Sequence, residues 1–239
     1  MNLKIVTCLC FAFFSFSCLF AQERSNSLSK EEVSQGWKLL FDGKTLSGWT
    51  AVGKNDPPAS GWVIEDGILS TKKVGDEHGS DIITKDEYAS FDLSVDFKLA
   101  PGGNSGIKYL FTKYDQGGWL GLEYQILDNV KHPDAKLGRN GNRLQAALYD
   151  MLPLDKQVEN RVGAWNRARI VVRGSKVTHY LNGIKVLSFD RNSAVYKEAW
   201  KASKFKDSQP PFGQVQRGHL LLQDHGDQVS FKNIKIKAL

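Results

Sequence analysis

Three observations predict an all-β fold for this chain, with two antiparallel sheets packed as a sandwich or jelly roll and at most one short helix. Apolar and polar residues alternate along several stretches, most clearly over Phe91–Leu99, where Phe91, Leu93, Val95, Phe97 and Leu99 fall on one face of an extended strand. Paired turn residues punctuate those stretches at short intervals. Only residues 193–205 carry helical spacing, so strands do not alternate with helices as a parallel sheet would require.

The chain opens Met1-Asn2-Leu3-Lys4, a short basic start, and continues to Phe20 with apolar residues, Ser, Thr and Cys. That run is short for a membrane span, and Ala21 offers a cleavage point before the chain turns polar, so residues 1–21 read as a secretory signal peptide. The protein is thus expected to be exported, to the periplasm or outside the cell, with a lipoprotein anchored at Cys18 as the alternative. Cys8, Cys10 and Cys18 all lie in this segment, which leaves the mature chain without a disulfide, a thiolate metal site or a cysteine nucleophile. Residues 22–35 are polar and read as a flexible leader, and residues 36–239 as one domain.

Within the domain, strands are expected at 61–65, 91–99, 107–112, 120–127, 167–172, 176–181, 184–189, 219–223 and 229–236. Asp42-Gly43, Asp66-Gly67, Pro101-Gly102-Gly103-Asn104 and Gly226-Asp227 mark turns. Asn182-Gly183 between two strand patterns favours a tight hairpin whose central residues both have positive φ. In the helical stretch Val195, Tyr196, Ala199 and Trp200 form the apolar stripe. The formal charge of +6 is spread along the chain, with Lys201, Lys204 and Lys206 the only short basic cluster. A nucleic-acid partner would need a basic stripe with interleaved aromatics, so none is expected.

Four stretches hold more polar and glycine residues than strands and turns need. Gly103-Asn104-Ser105-Gly106 reads either as a glycine-rich turn or as a place where backbone and Asn104 approach a ligand. In an extended strand Glu123 and Gln125 share one face and Tyr124 and Ile126 the other, so burial of the second pair turns the carboxylate and the amide towards a groove. Asp128 has the opposite parity and joins them only if the strand ends or bulges near Leu127. His132 follows in a loop between Asp128 and Asp134, either of which could tune its ring, and His225 ends an apolar strand beside Asp224.

Taken in order, these stretches resemble the 3-keto-disaccharide hydrolase domain family. The pieces that carry the likeness are Gly36-Trp37-Lys38-Leu39-Leu40-Phe41-Asp42-Gly43 through Gly48-Trp49, Trp62 to Gly67, Gly103-Asn104-Ser105-Gly106, Glu123-Tyr124-Gln125-Ile126-Leu127-Asp128, Ala147-Leu148-Tyr149-Asp150, Trp165-Asn166, Leu181-Asn182-Gly183, Leu222-Gln223-Asp224-His225-Gly226 and Phe231-Lys232-Asn233-Ile234. The resemblance implies a concanavalin A-like sandwich that cleaves glycosides already oxidised at C3 by a separate oxidoreductase.

Such chemistry is sound on first principles. A C3 ketone acidifies the C2 proton, and the oxygen on C1 is then placed for elimination. The reaction needs a base at C2, a positive or hydrogen-bonding group at the C3 oxygen, and an acid for the leaving oxygen. Glu123, Asp128, His132 and His225 can supply acids and bases; His132 is taken as the base and Glu123 as the proton donor, with the two labels exchangeable. Lys108, Arg143 or a bound divalent cation could stabilise the enolate, the cation held by Asp128, His132 and neighbouring oxygens. Asn104, Gln125, Arg143, Tyr149, Asp224 and His225 are the expected substrate-binding residues.

Two other readings are open at this level. A retaining glucanase on this fold would need two carboxylates about 5 Å apart, whereas an amide, Gln125, stands between Glu123 and Asp128. A non-catalytic sugar-binding module could use Trp49, Trp62, Trp119 and Trp165 as stacking platforms, although tryptophan also fills sandwich cores.

Overall fold

Alternating side chains divide between a buried face and an outer face in two sheets, and this division positions everything that follows. A computed structural model describes residues 25–72, 79–159 and 161–239; the signal-peptide reading of residues 1–21 lies outside them. The elements run α1 Lys30–Ser34, β1 Trp37–Leu39, β2 Trp49–Ala51, β3 Trp62–Glu65, β4 Ile68–Thr71, β5 Ile82–Thr84, β6 Phe91–Leu99, β7 Asn104–Tyr114, β8 Gly118–Leu127, a 3-10 helix Pro133–Lys136, β9 Trp165–Arg173, β10 Lys176–Leu181, β11 Ile184–Asp190, α2 Ala194–Lys201, β12 His219–Leu222 and β13 Val229–Ala238. One sheet is eight-stranded, ordered β11-β10-β9-β6-β13-β4-β3 with β1 also on β13, and the other is five-stranded, ordered β2-β5-β12-β7-β8. Every registered pair is antiparallel. The predicted two-sheet sandwich is therefore present. No helix among the described residues is long and apolar enough to cross a membrane.

Phe91, Leu93, Val95, Phe97 and Leu99 of β6 are buried in the same core as Ile107 and Tyr109 of β7 and Leu122, Tyr124 and Ile126 of β8. Each such side chain contributes about 1.5–3 kcal/mol by leaving water, which is how this domain holds together without disulfides. His179 is wholly buried among them. Its Nδ1 is 2.9 Å from the Ala146 carbonyl, which can only accept, so Nδ1 carries the proton and Nε2 accepts from the Tyr109 hydroxyl at 2.8 Å. On the outer face of β6, Asp92 and Asp96 are each held by two guanidinium bonds, from Arg169 and Arg167 respectively.

Turn chemistry behaves as the sequence predicts. Asn182 and Gly183 have φ of 51° and 82° and join Leu181 to Ile184, and Asp66-Gly67, at 51° and 75°, does the same for Glu65 and Ile68. The helix is shorter than 193–205: Ser193 caps it, Tyr196 is buried, Val195 is exposed, and it stops at Lys201.

Residues 25–35 correct the expectation of a flexible leader. Ser29 and Glu32 form a capping box around α1, and Glu32 pairs with Lys235. Asn26 and Asn233 each donate a backbone N–H to the other's side-chain oxygen, at 2.7 and 2.8 Å. Asn233 also donates to Asp96 on the outer side of the eight-stranded sheet.

Candidate active site

Strand register builds a cavity on the outer face of the five-stranded sheet. Lys108 of β7 stands opposite Glu123 of β8, and Gly106 stands opposite Gln125. Because Tyr124 and Ile126 enter the core, Glu123 and Gln125 turn outward, as their spacing predicts. Together with Asn104, Trp119, Tyr149, Lys204, Gln223 and His225 these residues line a hollow of about 240 Å³.

Glycine makes the floor. A Cβ on Gly106 would sit 2.7 Å from Oε1 of Glu123, so the missing side chain is the space the carboxyl occupies. The Gly103-to-Gly106 stretch is accordingly strand rather than turn from Asn104 onward, with a close approach at Gly106. A bulge follows: the register shifts between Tyr109 and Thr112, and Leu110 takes φ 49°. A leucine in that region costs about 1–3 kcal/mol. The shift leaves Leu110 in the main core while Phe111 joins Ile83 and Leu221 in a separate cluster and stacks on Trp119, centroids 5.5 Å apart.

The electrostatics centre on Glu123. Burial raises its pKa, opposed by the ammonium groups of Lys108, 3.9 Å away, and Lys204. Burial lowers the pKa of Lys204, opposed by Glu123 and Asp150, and burial also raises that of Asp81, a neighbour of Lys108 and His225. The side-chain oxygen and nitrogen of Gln125 are both buried without a partner, as is Oε1 of Gln223. An unpartnered buried amide costs about 1–3 kcal/mol. Two of them lining one cavity are groups waiting for hydroxyls or carbonyls.

The loop after β8 supplies a wall. Ala146 N–H donates to Gln125 O and Tyr149 N–H to Glu123 O, so this segment covers the free edge of β8 and sets Tyr149 beside the acid. Arg143 pins it by donating to Asp134 at 2.7 Å and to Asp150 at 2.9 Å. The other oxygen of Asp150 accepts Lys204 N–H at 2.9 Å, and Lys204 Nζ lies 4.3 Å from the Tyr149 ring centroid.

Of the expected site residues, Asn104, Glu123, Gln125, Tyr149 and His225 line the cavity, as does Lys108, and four do not. Asp128 points into its own loop. Burial works against its ionisation, but bonds from the N–H groups of Gly102, Lys131 and Val130 outweigh it and hold the carboxyl below the usual range. His132 caps the 3-10 helix, its Nδ1 accepting from Asp134 N–H, with Nε2 3.9 Å from Asp227. It lies outside the cavity lining: β8 ends at Leu127, and the loop turns both residues to its own N–H donors. Arg143 acts one layer back, on Asp134 and Asp150. Asp224 receives Gly226 N–H and turns its other oxygen towards Gly61 and Gly79. Asp128 and His132 both accept from backbone N–H groups of their own loop, and among the described residues no group of three or more His, Cys, Asp or Glu side chains is arranged to hold a metal.

Lys204, Gln223, Phe205 and Asp81 were not among the expected site residues. Gln223 lies in a quoted motif, so its position was visible. Lys204 reads in the sequence as part of a solvated basic run, and in the fold its backbone bond to Asp150 and its packing over Tyr149 hold it at the cavity.

Comparison with known proteins gives this arrangement a family. A 3-keto-disaccharide hydrolase of Bacteroides thetaiotaomicron is 37% identical over 250 aligned positions, covering 94% of this chain and 86% of that one. A crystal structure of a candidate glycosyl hydrolase from Parabacteroides distasonis superposes with a TM-score of 0.78 at 32% identity, over 90% of this chain and all of that one. A Bacillus subtilis protein with a galectin-like fold, at 12% identity and a TM-score of 0.50 over 90% and 94% of the two chains, shares the fold alone. Residues 36–237 match the 3-keto-alpha-glucoside-1,2-lyase-like domain, and the chain belongs to that family.

Proposed function

We propose that this protein is a carbohydrate-cleaving enzyme that breaks the glycosidic bond of sugars carrying a ketone at C3, by proton abstraction at C2 and elimination. The observation that carries the reading is a buried carboxyl of raised pKa, Glu123, flanked by two ammonium groups in a cavity lined by unpartnered amides. The name of the Bacteroides relative and the 1,2-lyase description of the family support it.

His225 takes the C2 proton, and the electron pair becomes the C2–C3 enolate. Lys108 and Lys204 offset the charge on the C3 oxygen. The ketone re-forms as a C1–C2 double bond is made and the C1–oxygen bond breaks, and Glu123 protonates the leaving oxygen. A raised pKa suits that step because it keeps a larger share of the acid protonated at working pH. Water then adds at C1 and a proton returns to C2, which gives net hydrolysis. Asn104, Gln125 and Gln223 hold ring hydroxyls and Tyr149 closes the wall. A separate oxidoreductase supplies the ketone, and the basic and apolar residues at the start of the chain, with Ala21, support export.

The test is direct. Purified protein is incubated with methyl α-glucoside and methyl 3-keto-α-glucoside, and methanol release is followed. Release from the keto sugar alone is expected; equal rates on both, or release from neither, would overturn the reading.

A further inference from the structure

Charge that is spread along the sequence gathers on one face of the fold. The outer side of the eight-stranded sheet, opposite the cavity, carries Lys98 on β6, Arg167 and Arg169 on β9, and Lys232, Lys235 and Lys237 on β13. A bulge makes the last three possible. The register of β13 against β6 shifts between Lys232 and Lys235, with Asn233 at φ 51°, so the alternation restarts: Phe231, Ile234 and Ile236 all stay in the core while the three lysines face out.

The carboxylates on this face are already matched. Asp92 pairs with Arg169, Asp96 with Arg167, and Glu32 with Lys235. Lys98, Lys232 and Lys237 are surplus: among the described residues their ammonium groups pair with no carboxylate and lie against indoles instead. Lys98 and Lys232 share one ring, that of Trp165, at 5.3 and 4.3 Å from its centroid, and Lys237 lies 5.3 Å from the centroid of Trp37. Two ammonium groups held on one ring repel each other, and an anion set between them would turn that repulsion into attraction.

Trp165 also lines a hollow of about 450 Å³ with Arg161, Arg167 and Asn182. An indole among surplus ammonium groups suits a ring that carries its charge on a substituent. A uronate sugar is such a ring, with C–H groups for the indole and a carboxylate for the lysines. The two indoles are far apart: Lys98 faces Trp165, Asp92 faces Lys237 and Lys237 faces Trp37, so the length of β6 from Asp92 to Lys98, about 20 Å, separates them. One sugar ring does not reach from one to the other, whereas a chain of them does.

We propose that the outer face of the eight-stranded sheet docks an acidic polysaccharide, a chain of uronate residues, across Trp165 and Trp37. Docking there leaves the cavity on the five-stranded sheet open, so the polymer is a support for the enzyme and not its substrate. The assignment is independent of the reaction proposed at Glu123 and His225.

The experiment titrates polygalacturonate, fully methyl-esterified polygalacturonate and a single-stranded DNA of matched charge into the purified protein by calorimetry, for the wild type, the double variant Lys98→Glu/Lys232→Glu, and Trp165→Ala. The wild type should bind polygalacturonate, more weakly as salt is added, and both the ester and the double variant should lower the affinity by about tenfold or more. Trp165→Ala keeps every charge and should still lose about threefold or more. Methanol release from methyl 3-keto-α-glucoside should be the same in all three proteins. Absence of wild-type binding, or equal binding of the ester, would overturn the assignment. So would full binding by the double variant, which would put the polymer on another face, and tighter binding of the DNA, which would make the occupant a nucleic acid.

Discussion

Lys108 and Glu123 face each other across adjacent strands with nitrogen and oxygen 3.9 Å apart, a separation that attracts but leaves both groups able to bind something else. Glu123 remains harder to ionise than a free carboxyl despite that attraction, because burial outweighs it. Two consequences follow for Glu123→Gln. Cleavage of a 3-keto glucoside should fall by about a hundredfold or more, the usual scale for losing a positioned acid. The variant should also be more stable than the wild type at neutral pH. A carboxyl whose folded pKa is raised destabilises the fold once pH exceeds its unfolded value, 4.5, and this cost vanishes below it. Thermal melts at pH 7 and pH 4 should show a gain at the first that shrinks at the second.

His225 and His132 separate the cavity from the loop behind it. His225→Ala should reduce cleavage about a hundredfold, because His225 lines the cavity. His132→Ala should keep the rate within about threefold of wild type, since its ring serves a helix cap of modest energetic weight. Steady-state rates on methyl 3-keto-α-glucoside check both, and a large loss in His132→Ala alone would reverse the assignment.

Gly106→Ala tests the floor. The added methyl would lie 2.7 Å from the Glu123 carboxyl, so the acid must move. Alanine suits a strand at least as well as glycine does, and the fold should survive. The expected outcome is a rate loss of about tenfold or more with an unchanged far-ultraviolet circular dichroism spectrum; a normal rate would mean that Glu123 has no fixed position to lose.

His179 should set part of the acid limit of stability. Burial, opposed by the bond to Ala146 O, lowers its pKa from 6.5 to about 4. The unfolded chain therefore binds a proton that the folded chain refuses, and stability falls as pH drops from about 6.5 to about 4. The drop should be flatter in His179→Gln, measured by urea denaturation at several pH values against the wild type.

The sequence showed the sandwich and half the cavity for one reason, the two-residue period. It makes Glu123 and Gln125 neighbours as soon as Tyr124 and Ile126 are assigned to the core, and it delimits the long strands well. Short strands such as β2 and β5 are too brief to display a period, so Asp81 beside β5 was not legible. The loop residues are a different case. Asp128 and His132 carry reactive groups but spend them on backbone N–H donors of their own turns, and nothing in residue type separates a capping carboxylate from a catalytic one. Lys204 reaches Glu123 only through long-range packing around Asp150 and Arg143, which pattern reading does not reach.

The Asn26–Asn233 latch decides which way the molecule faces. It fastens the start of the domain to the outer side of the eight-stranded sheet, whereas the cavity opens on the five-stranded sheet. Anything joined ahead of Ser25, be it a bead, a fusion partner or a surface, holds the molecule by its back. Immobilised from that end, the protein would present its mouth to the solution and to whatever polymer passes in front of it.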